Sequence, residues 1–292
     1  GRYCEVVLNG DFIGIYVLQE KLKADDSRID INKIKETDLS FPKLTGGYIT
    51  KADKNEGSDT PAWYMDSYGW GQVNYIHEHP KPTTVKFQQN EYIKNEFEKL
   101  EVSASQGNSS ITSGYPSVID IPSFVDFMIL NEFASNADGY QFSTFFHKDR
   151  NGKLRAGPIW DFNLTFGNDL FQWGFDRSKT YLWQFEYENM GTKFWTDLFN
   201  DSVFKCYLTK RWQELTAPGM PLDSRIILEL IYTTKTLILE AAKRCWDDAN
   251  LGDIPSQFDF DVPPLPQKPA FVNRVLFENK KQCRIRKVDT RL

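Results

Sequence analysis

The sequence predicts an α+β fold, with strands in the first third of the chain and helices in most of the remainder. Two observations carry this prediction. The candidate strands before residue 80 are separated by turn signals, and the candidate helices all begin at or after Thr84. Such segregation argues against a doubly wound sheet, in which strands and helices alternate. With 292 residues, of which 40% are hydrophobic, the chain can form one large domain or two packed lobes.

The first predicted element is a β-hairpin, because two apolar runs flank Asn9-Gly10. Asn-Gly is the strongest short hairpin signal, since both residues accept positive φ angles. A further strand follows a glycine turn over 46–51, and another is predicted over 73–76. The polar stretch 53–71 lies between these strands and is rich in turn formers, which predicts a long surface loop.

Four helices and two short strands are predicted in the rest of the chain. Apolar residues recur at helical spacing after Thr84, which predicts an amphipathic helix. The run after Pro122 is apolar around most of its circumference, which predicts a buried helix. In chain order, the predictions are helices at 87–100 and 124–136, strands at 142–147 and 154–160, and helices at 195–215 and 223–248.

These patterns divide the chain into three predicted parts. Residues 1–118 form a strand-rich N-terminal lobe, and residues 119–252 form a mainly helical C-terminal lobe. Residues 253–292 are rich in proline, which predicts a strap or linker. The last part includes a basic stretch over 280–287, which is either a solvated tail or a docking strip for an acidic partner.

Composition excludes several functional classes. A net charge of -5 gives no basic excess to neutralise a phosphate backbone, so no nucleic-acid partner is expected. No apolar run approaches the roughly 20 residues that span a bilayer, so no transmembrane segment is expected. The four cysteines are scattered without a Cys-x-x-Cys pair, which disfavours a structural zinc site and leaves disulfides open. His77 and His79 could bind a metal from one strand, but no third ligand lies nearby in sequence.

Two aspartates are the densest candidates for chemistry. Asp138 lies just past the predicted buried helix, and Asp161 lies just past the predicted strand that ends in Ile159-Trp160. Carboxylates at the ends of buried elements suit Mg²⁺ or Mn²⁺, since hard cations prefer oxygen ligands. The structural alternative is that each aspartate caps a turn through its own backbone.

Four short blocks occur in a fixed order along the chain. They are Gly14-x-Tyr16-x-x-x-Glu20, Gly47-Tyr48-Ile49-Thr50-Lys51, Asn136-x-Asp138-Gly139-Tyr140, and Pro158-Ile159-Trp160-Asp161-Phe162-Asn163-x-x-Phe166-Gly167. Their order and the Trp-Asp-Phe run make the chain resemble the CotH family, from its N-terminus to about residue 250. The family is named for a spore-coat protein and includes surface and secreted bacterial proteins.

The resemblance implies a divergent, two-lobed protein-kinase-like fold and an activity. It implies a kinase that uses ATP and Mg²⁺ or Mn²⁺ to phosphorylate Ser or Thr of a surface or coat protein, outside the cytoplasm. Phosphoryl transfer depends mainly on positioning and charge neutralisation. By this resemblance Asp138 is the catalytic aspartate that orients the substrate hydroxyl, and Asp161 holds the metal.

The resemblance also implies roles for four further residues. Lys51 would reach the α- and β-phosphates, and Glu20 would pair with a lysine or help to hold the metal. Ser143 and Asn163 would complete the metal site, but many family members carry Asn at the first position and a second acid at the second. Both residues offer a neutral oxygen, so the metal would be bound with less negative charge around it.

Two other functions are compatible with the sequence. The first is a catalytically degenerate kinase-fold protein that serves as an interaction or assembly module on the cell surface. The second is a carbohydrate-associated surface protein, in which an aromatic cluster would bind a glycan or a peptide unless it packs in the core. The cluster consists of Phe171, Trp173, Phe175, Tyr181, Trp183, Phe185 and Tyr187.

Overall fold

The computed structural model describes residues 1–57, 59–168, 179 and 181–248, with side chains described as far as residue 240. The elements form two antiparallel sheets and six α-helices in these residues, as an α+β fold requires. In chain order they are β1 (Arg2–Leu8), β2 (Asp11–Leu18), β3 (Tyr48–Ala52), β4 (Trp63–Asp66), β5 (Gln72–His79), α1 (Phe87–Ser105), α2 (Tyr115–Val118), α3 (Ile121–Ala134), β6 (Thr144–Lys148), β7 (Arg155–Ala156), α4 (Phe194–Asn200), α5 (Ser202–Leu215) and α6 (Ser224–Asp248).

Contacts divide the described residues into two units, one of 1–22 with 213–248 and one within 23–212. In the first unit β1 and β2 form the predicted hairpin, and α6 contacts β2. The turn residues Asn9 and Gly10 have φ angles of 54° and 95°. Positive φ at both positions defines the type I′ turn, whose twist matches that of the flanking strands. The hairpin prediction is therefore confirmed.

The second unit is built around a five-stranded sheet in the order β4-β5-β3-β6-β7. The prediction of one long loop over 53–71 is wrong, because β4 lies within it. Buried Trp63 and Met65 alternate there with exposed Tyr64 and Asp66, the pattern of a half-buried strand. Flanking glycine, serine and aspartate residues hide this short alternation in the sequence.

The strands β3 and β6 lie on opposite sides of the predicted boundary at residue 118, yet they pair over five residues. One sheet therefore contains strands from both predicted lobes. The division into parts 1–118 and 119–252 stays a prediction for the folding units, and the part 253–292 lies outside the described residues.

An aromatic core packs against this sheet. The Trp195 side chain is 1% exposed, and its ring centroid lies 5.1 Å from Phe124, 5.3 Å from Phe127 and 5.2 Å from Tyr140. Offset and edge-on ring contacts at these distances add to the free energy of apolar burial. The core thereby joins α3, α4 and the loop after α3, which carries Asp138.

The predicted helix over 195–215 is interrupted at Asp201. The backbone of Asp201 is extended, with φ -72° and ψ 130°. The Oδ1 atom of Asp201 accepts hydrogen bonds from the backbone N–H groups of Val203 and Phe204. The same oxygen accepts the Tyr115 hydroxyl at 2.6 Å. An aspartate that caps a new helix stops the preceding one, which periodicity alone does not reveal.

Two other boundaries differ from the predictions. The strand predicted over 154–160 is only two residues long, since β7 ends at Ala156 and Asp161 follows an irregular segment. The short helix α2, which begins at Tyr115, was not among the predicted elements. The buried helix is confirmed as α3, with Asp120 as its N-cap and Pro122 in its first turn.

Replacing Asp201 tests the cap between α4 and α5. We expect Asp201→Ala to lower the free energy of unfolding by about 1–2 kcal/mol, because two helix N–H groups and the Tyr115 hydroxyl lose their acceptor. Asp201→Asn keeps an acceptor oxygen and should cost less than half as much. Urea denaturation measures both, and an equal loss in the two variants would contradict the capping role.

Acid should destabilise the second unit through two histidines, the buried His77 and the half-buried His147. Burial lowers the pKa of His77 and His147 below the ordinary value of 6.5. Below that value the unfolded chain binds more protons than the folded one, so the free energy of unfolding falls as the pH falls, by up to about 1.4 kcal/mol per pH unit for each histidine. Urea midpoints at pH 7.5 and pH 5.5 test this. A higher midpoint at pH 5.5 would contradict it, and His147→Gln should flatten the dependence.

Candidate active site

The catalytic candidate Asp138 lies in a loop fixed by its neighbours. Helix α3 ends at Ala134, and its C-cap Ser135 has a left-handed φ of 50° that turns the chain out of the helix. The Asn136 side chain donates to Asn131 Oδ1 at 2.9 Å, and its own Oδ1 accepts the backbone N–H of Asp138 at 3.3 Å. The carbonyl of Asp138 accepts the N–H of Phe142 at 2.9 Å. The Asp138 side chain, which is half-buried, is thus carried on a defined backbone.

The segment at residues 189–191 fixes this loop by a hydrogen bond and by close packing. The Asn189 side-chain amide donates to the carbonyl of Gly139 at 2.7 Å, and its Oδ1 accepts the N–H of Gly191. A Cβ on Gly139 would lie 2.5 Å from Asn131 Oδ1, and a Cβ on Gly191 would lie 2.6 Å from Tyr140 Cβ. Only glycine allows these approaches, which explains the glycine of the Asn-x-Asp-Gly-Tyr block.

Buried Glu132 joins the loop to the segment at residues 184 and 185. The Glu132 side chain is 3% exposed and accepts the Tyr140 hydroxyl at 2.9 Å. It also accepts the backbone N–H groups of Gln184 at 2.9 and 3.0 Å and of Phe185 at 3.2 Å. Burial and the neighbouring Glu132 carboxylate raise the pKa of Tyr140, so its hydroxyl stays protonated and donates a hydrogen bond to Glu132.

The metal-site candidates Ser143 and Asp161 come together. Ser143 lies just before β6 and Asp161 five residues after β7, and Ser143 Oγ donates to Asp161 Oδ2 at 3.4 Å. Both have left-handed backbones, with φ angles of 47° and 60°. Non-glycine residues seldom adopt this conformation, and it concentrates at functional sites. The His147 ring, which donates from Nδ1 to the carbonyl of Gly157 at 2.9 Å, holds the intervening chain against β6.

The Asp161 block also lies against the Asp138 loop. The backbone N–H of Ala137 donates to the carbonyl of Leu164 at 3.2 Å, and that of Phe166 donates to the carbonyl of Ala134 at 2.6 Å. The structure therefore brings the two acidic blocks side by side. Asn163 is exposed, and no contact joins its side chain to Ser143 or Asp161 in the described residues.

The nucleotide candidate Lys51 is held by two carboxylates. Its Nζ lies 2.7 Å from Asp59 and 3.3 Å from Asp53, and its side chain is 14% exposed. Burial lowers the pKa of Lys51, but the hydrogen bond that Lys51 donates to Asp59 and the charge of Asp53 outweigh burial, so the net shift is upward. The charge of its ammonium group is therefore already balanced by two carboxylates, which the sequence did not indicate.

Sequence reasoning missed Lys54. Hydrogen bonding to Glu56 raises the pKa of Lys54 most, and the charge of Asp138 raises it further, so Asp138 lies within electrostatic range. The register explains this proximity, since Ala52 at the end of β3 pairs with Thr144, next to Ser143. Glu20 belongs to the other unit, so its relation to Lys51 stays a prediction.

Some of the remaining candidates pack in the core. His77 Nε2 bonds Asn90 Oδ1 at 2.9 Å, and the His77 side chain is buried. The Trp183 and Phe185 rings lie 4.9 and 4.7 Å from Phe199, which favours core packing over a glycan platform. Tyr181 is 56% exposed. Phe171, Trp173 and Phe175 lie outside the described residues.

The oxygen atoms at this site fit Mg²⁺ or Mn²⁺. No group of three or more His, Cys, Asp or Glu side chains is placed to hold a metal in the part of the chain that the structure describes. Ser143 and Asp161 nevertheless present hard oxygen atoms close together. Magnesium commonly uses one or two carboxylates and completes its shell with water and substrate phosphates.

Together these features define an α+β protein in which two acidic loops meet beside one sheet. The family model described as CotH kinase protein matches residues 1–237, and the chain belongs to that family. A kinase family implies ATP and a divalent metal in general. No curated protein sequence matches the chain. No described helix is both long and apolar enough to cross a membrane.

Glu132→Gln tests whether this carboxylate holds the loop together. We expect the free energy of unfolding to fall by about 2–4 kcal/mol, because an amide offers one acceptor oxygen to several buried donors and turns a donor toward them. Tyr140→Phe removes one hydrogen bond and should cost about 1–2 kcal/mol. Chemical denaturation compares the two, and a glutamine variant that is no less stable than the phenylalanine variant would contradict this role.

Proposed function

We propose that this CotH-family protein is an active kinase that transfers the γ-phosphate of ATP to Ser or Thr of a surface or coat protein. The observation that carries the proposal is the 3.4 Å contact between Ser143 and Asp161, which share left-handed backbones, beside the loop of Asp138. Two separate sequence blocks converge there on oxygen atoms suited to a divalent cation.

Asp161 and Ser143 would hold Mg²⁺ or Mn²⁺, and Asn163 would add a neutral oxygen. The cation supplies neutralisation of the phosphate charge when bound. Ser143 and Asp161, which lie side by side in space and both have positive φ angles, would orient these oxygen atoms before the ligand arrives. Such preorganisation reduces the free-energy cost of binding.

Asp138 would orient the substrate hydroxyl and accept its proton. The hydroxyl oxygen forms a bond to the γ-phosphorus, the bond from that phosphorus to the bridging oxygen of ADP breaks, and the proton passes to the carboxylate of Asp138. The bonds to Asn136 and Phe142 hold the Asp138 backbone during this step.

Lys51 and Glu20 remain the nucleotide-binding candidates, with Lys54 as an added one. Asp59 and Asp53 compete with phosphate for the Lys51 ammonium group. Lys54 is exposed and pairs with Glu56 at 2.8 Å, and the charge of Asp138 also raises its pKa. A lysine there can attract phosphate oxygens as a mobile point charge.

A catalytically degenerate interaction module is the second candidate. Two observations favour it: Lys51 is neutralised by two carboxylates, and Ser143 and Asn163 add no charge to the metal site. Glycan binding has weaker support, since Trp183 packs against Phe199. For either function we propose a location outside the cytoplasm. Cys206 is disulfide-bonded, and such bonds persist mainly in oxidising compartments.

Calorimetric titration of MgATP and MnATP tests the proposal. We expect metal-dependent binding by the wild-type protein, a loss of about tenfold or more in Asp161→Asn because a metal-binding charge is removed, and retention in the surface control Asp66→Asn. Asp138→Asn should still bind ATP but lose transfer by about 10²–10⁴-fold, measured with radiolabelled ATP and protein acceptors.

Each result separates the candidates. ATP binding without transfer, in wild type and Asp138→Asn alike, would favour the degenerate module. Absence of nucleotide binding by a folded wild-type protein with both metals would rule out the kinase.

A further inference from the structure

A pocket of about 500 Å³ lies at the other end of the β3–β6 ladder from the candidate active site. Ser143 precedes β6, whereas Arg150, which lines this pocket, follows it. Five residues of extended strand span roughly 15 Å. The pocket therefore shares none of the residues proposed for phosphoryl transfer.

An arginine is fixed at the wall of this pocket. Asp38, which is 4% exposed, accepts a hydrogen bond at Oδ2 from Arg150 Nη2 at 3.0 Å and another from the backbone N–H of Lys35 at 3.0 Å. No second acceptor contacts the guanidinium in the described residues, and its buried Nε–H has no partner. The side chain is 27% exposed, so Arg150 is held in place with donors to spare.

Three lysines complete the positive lining. Lys33, Lys35 and Lys43 line the pocket and are exposed. Among the described residues, no acid lies within ion-pairing distance of any of them. These ammonium groups are not neutralised by the protein, although the whole chain carries a net charge of -5.

The acids that line the pocket do not cancel this charge. Asp38 is paired with Arg150. Asp25 accepts the hydroxyl of Ser27 at 2.6 Å and lies 3.4 Å from Lys23. Asp26 alone among the lining acids has no ion pair in the described residues, so the three lysines outnumber it.

The frame of the pocket is also fixed. The backbone N–H of Asn32 donates to Asp149 Oδ1 at 2.8 Å, which ties this segment to the turn after β6. Gln89 Nε2 donates to the carbonyl of Lys35 at 2.8 Å. A Cβ on Gly47 would lie 2.2 Å from the carbonyl oxygen of Asn32, so the two chains meet backbone to backbone. A frame held in this way loses little freedom when a ligand binds.

We propose that this pocket binds a phosphate monoester group. A forked guanidinium with several ammonium groups is the chemistry that recognises phosphate, and a mainly polar lining excludes an apolar ligand. The volume lies within the range of small-molecule sites, so it leaves room for the molecule that carries the phosphate. The source is either a free phosphate compound or a phosphorylated protein side chain.

Titration in EDTA tests this site separately from the proposed kinase site, because binding that needs a divalent metal is then removed. The full chain is titrated at constant ionic strength with inorganic phosphate, with a phosphoserine peptide and with the same peptide lacking phosphate. The variants are Lys33→Gln with Lys43→Gln, the control Lys94→Gln on α1, where a half-buried lysine pairs with Glu98, and Asp161→Asn.

We expect phosphate to bind, the double variant to lose about tenfold or more in affinity, and Lys94→Gln and Asp161→Asn to bind as wild type. Both substituted lysines are exposed, so the double variant should fold, and its urea midpoint checks this. Tighter binding of the phosphopeptide than of phosphate identifies a protein side chain as the source, and equal binding identifies the free ion. No binding of either probe, or equal weakening by Lys94→Gln, overturns the proposal.

Discussion

The candidate active site depends on one buried carboxylate. Glu132 lies in the last turns of α3 and accepts hydrogen bonds both from Tyr140, two residues after Asp138, and from the backbone of residues 184 and 185. Burying a carboxylate costs free energy unless its oxygen atoms accept hydrogen bonds. Glu132 therefore links the groups that donate to it. Helix α3, the Asp138 loop and the segment at residues 184 and 185 are thus held together by Glu132. None of these contacts involves the atoms that would react.

The β3–β6 ladder gives the second constraint. At one end Ala52 pairs with Thr144, which brings the exit of β3 beside Ser143; at the other Tyr48 pairs with Lys148, next to the turn that carries Arg150. Buried Lys148 closes that second end by donating to the carbonyls of Thr45 and Gly152 at 3.0 and 2.6 Å. A single register therefore sets the positions of both proposed sites, and a slip by one residue would turn Lys51 to the opposite face.

The sequence predicted those parts that depend on local chemistry. The Asn9-Gly10 turn, helix α1 and helix α3 follow from turn residues and periodicity. The family resemblance assigned roles in one site to Asp138 and Asp161, and these roles stay predictions. The sequence did not predict β4, whose four residues are too short for periodicity to stand out, or the break at Asp201, where one side chain ends a helix and begins another. The partners of Lys51 could not be predicted from the sequence either, because Asp59 reaches Lys51 through a loop whose path depends on β4 and β5.

The charges at the candidate site suggest how metal and nucleotide would depend on each other. Among the described residues, Asp161 is the one carboxylate in direct contact with the Ser143 oxygen, and Asn163 and Ser143 bring no charge. Such a site offers a divalent cation little attraction by itself, whereas the phosphates of ATP supply both charge and oxygen ligands. The same phosphates would have to replace Asp59 and Asp53 around Lys51. Each ligand therefore provides what the other lacks, so under this proposal the metal and the nucleotide bind as one unit, and the carboxylates around Lys51 oppose a nucleotide that arrives without its cation.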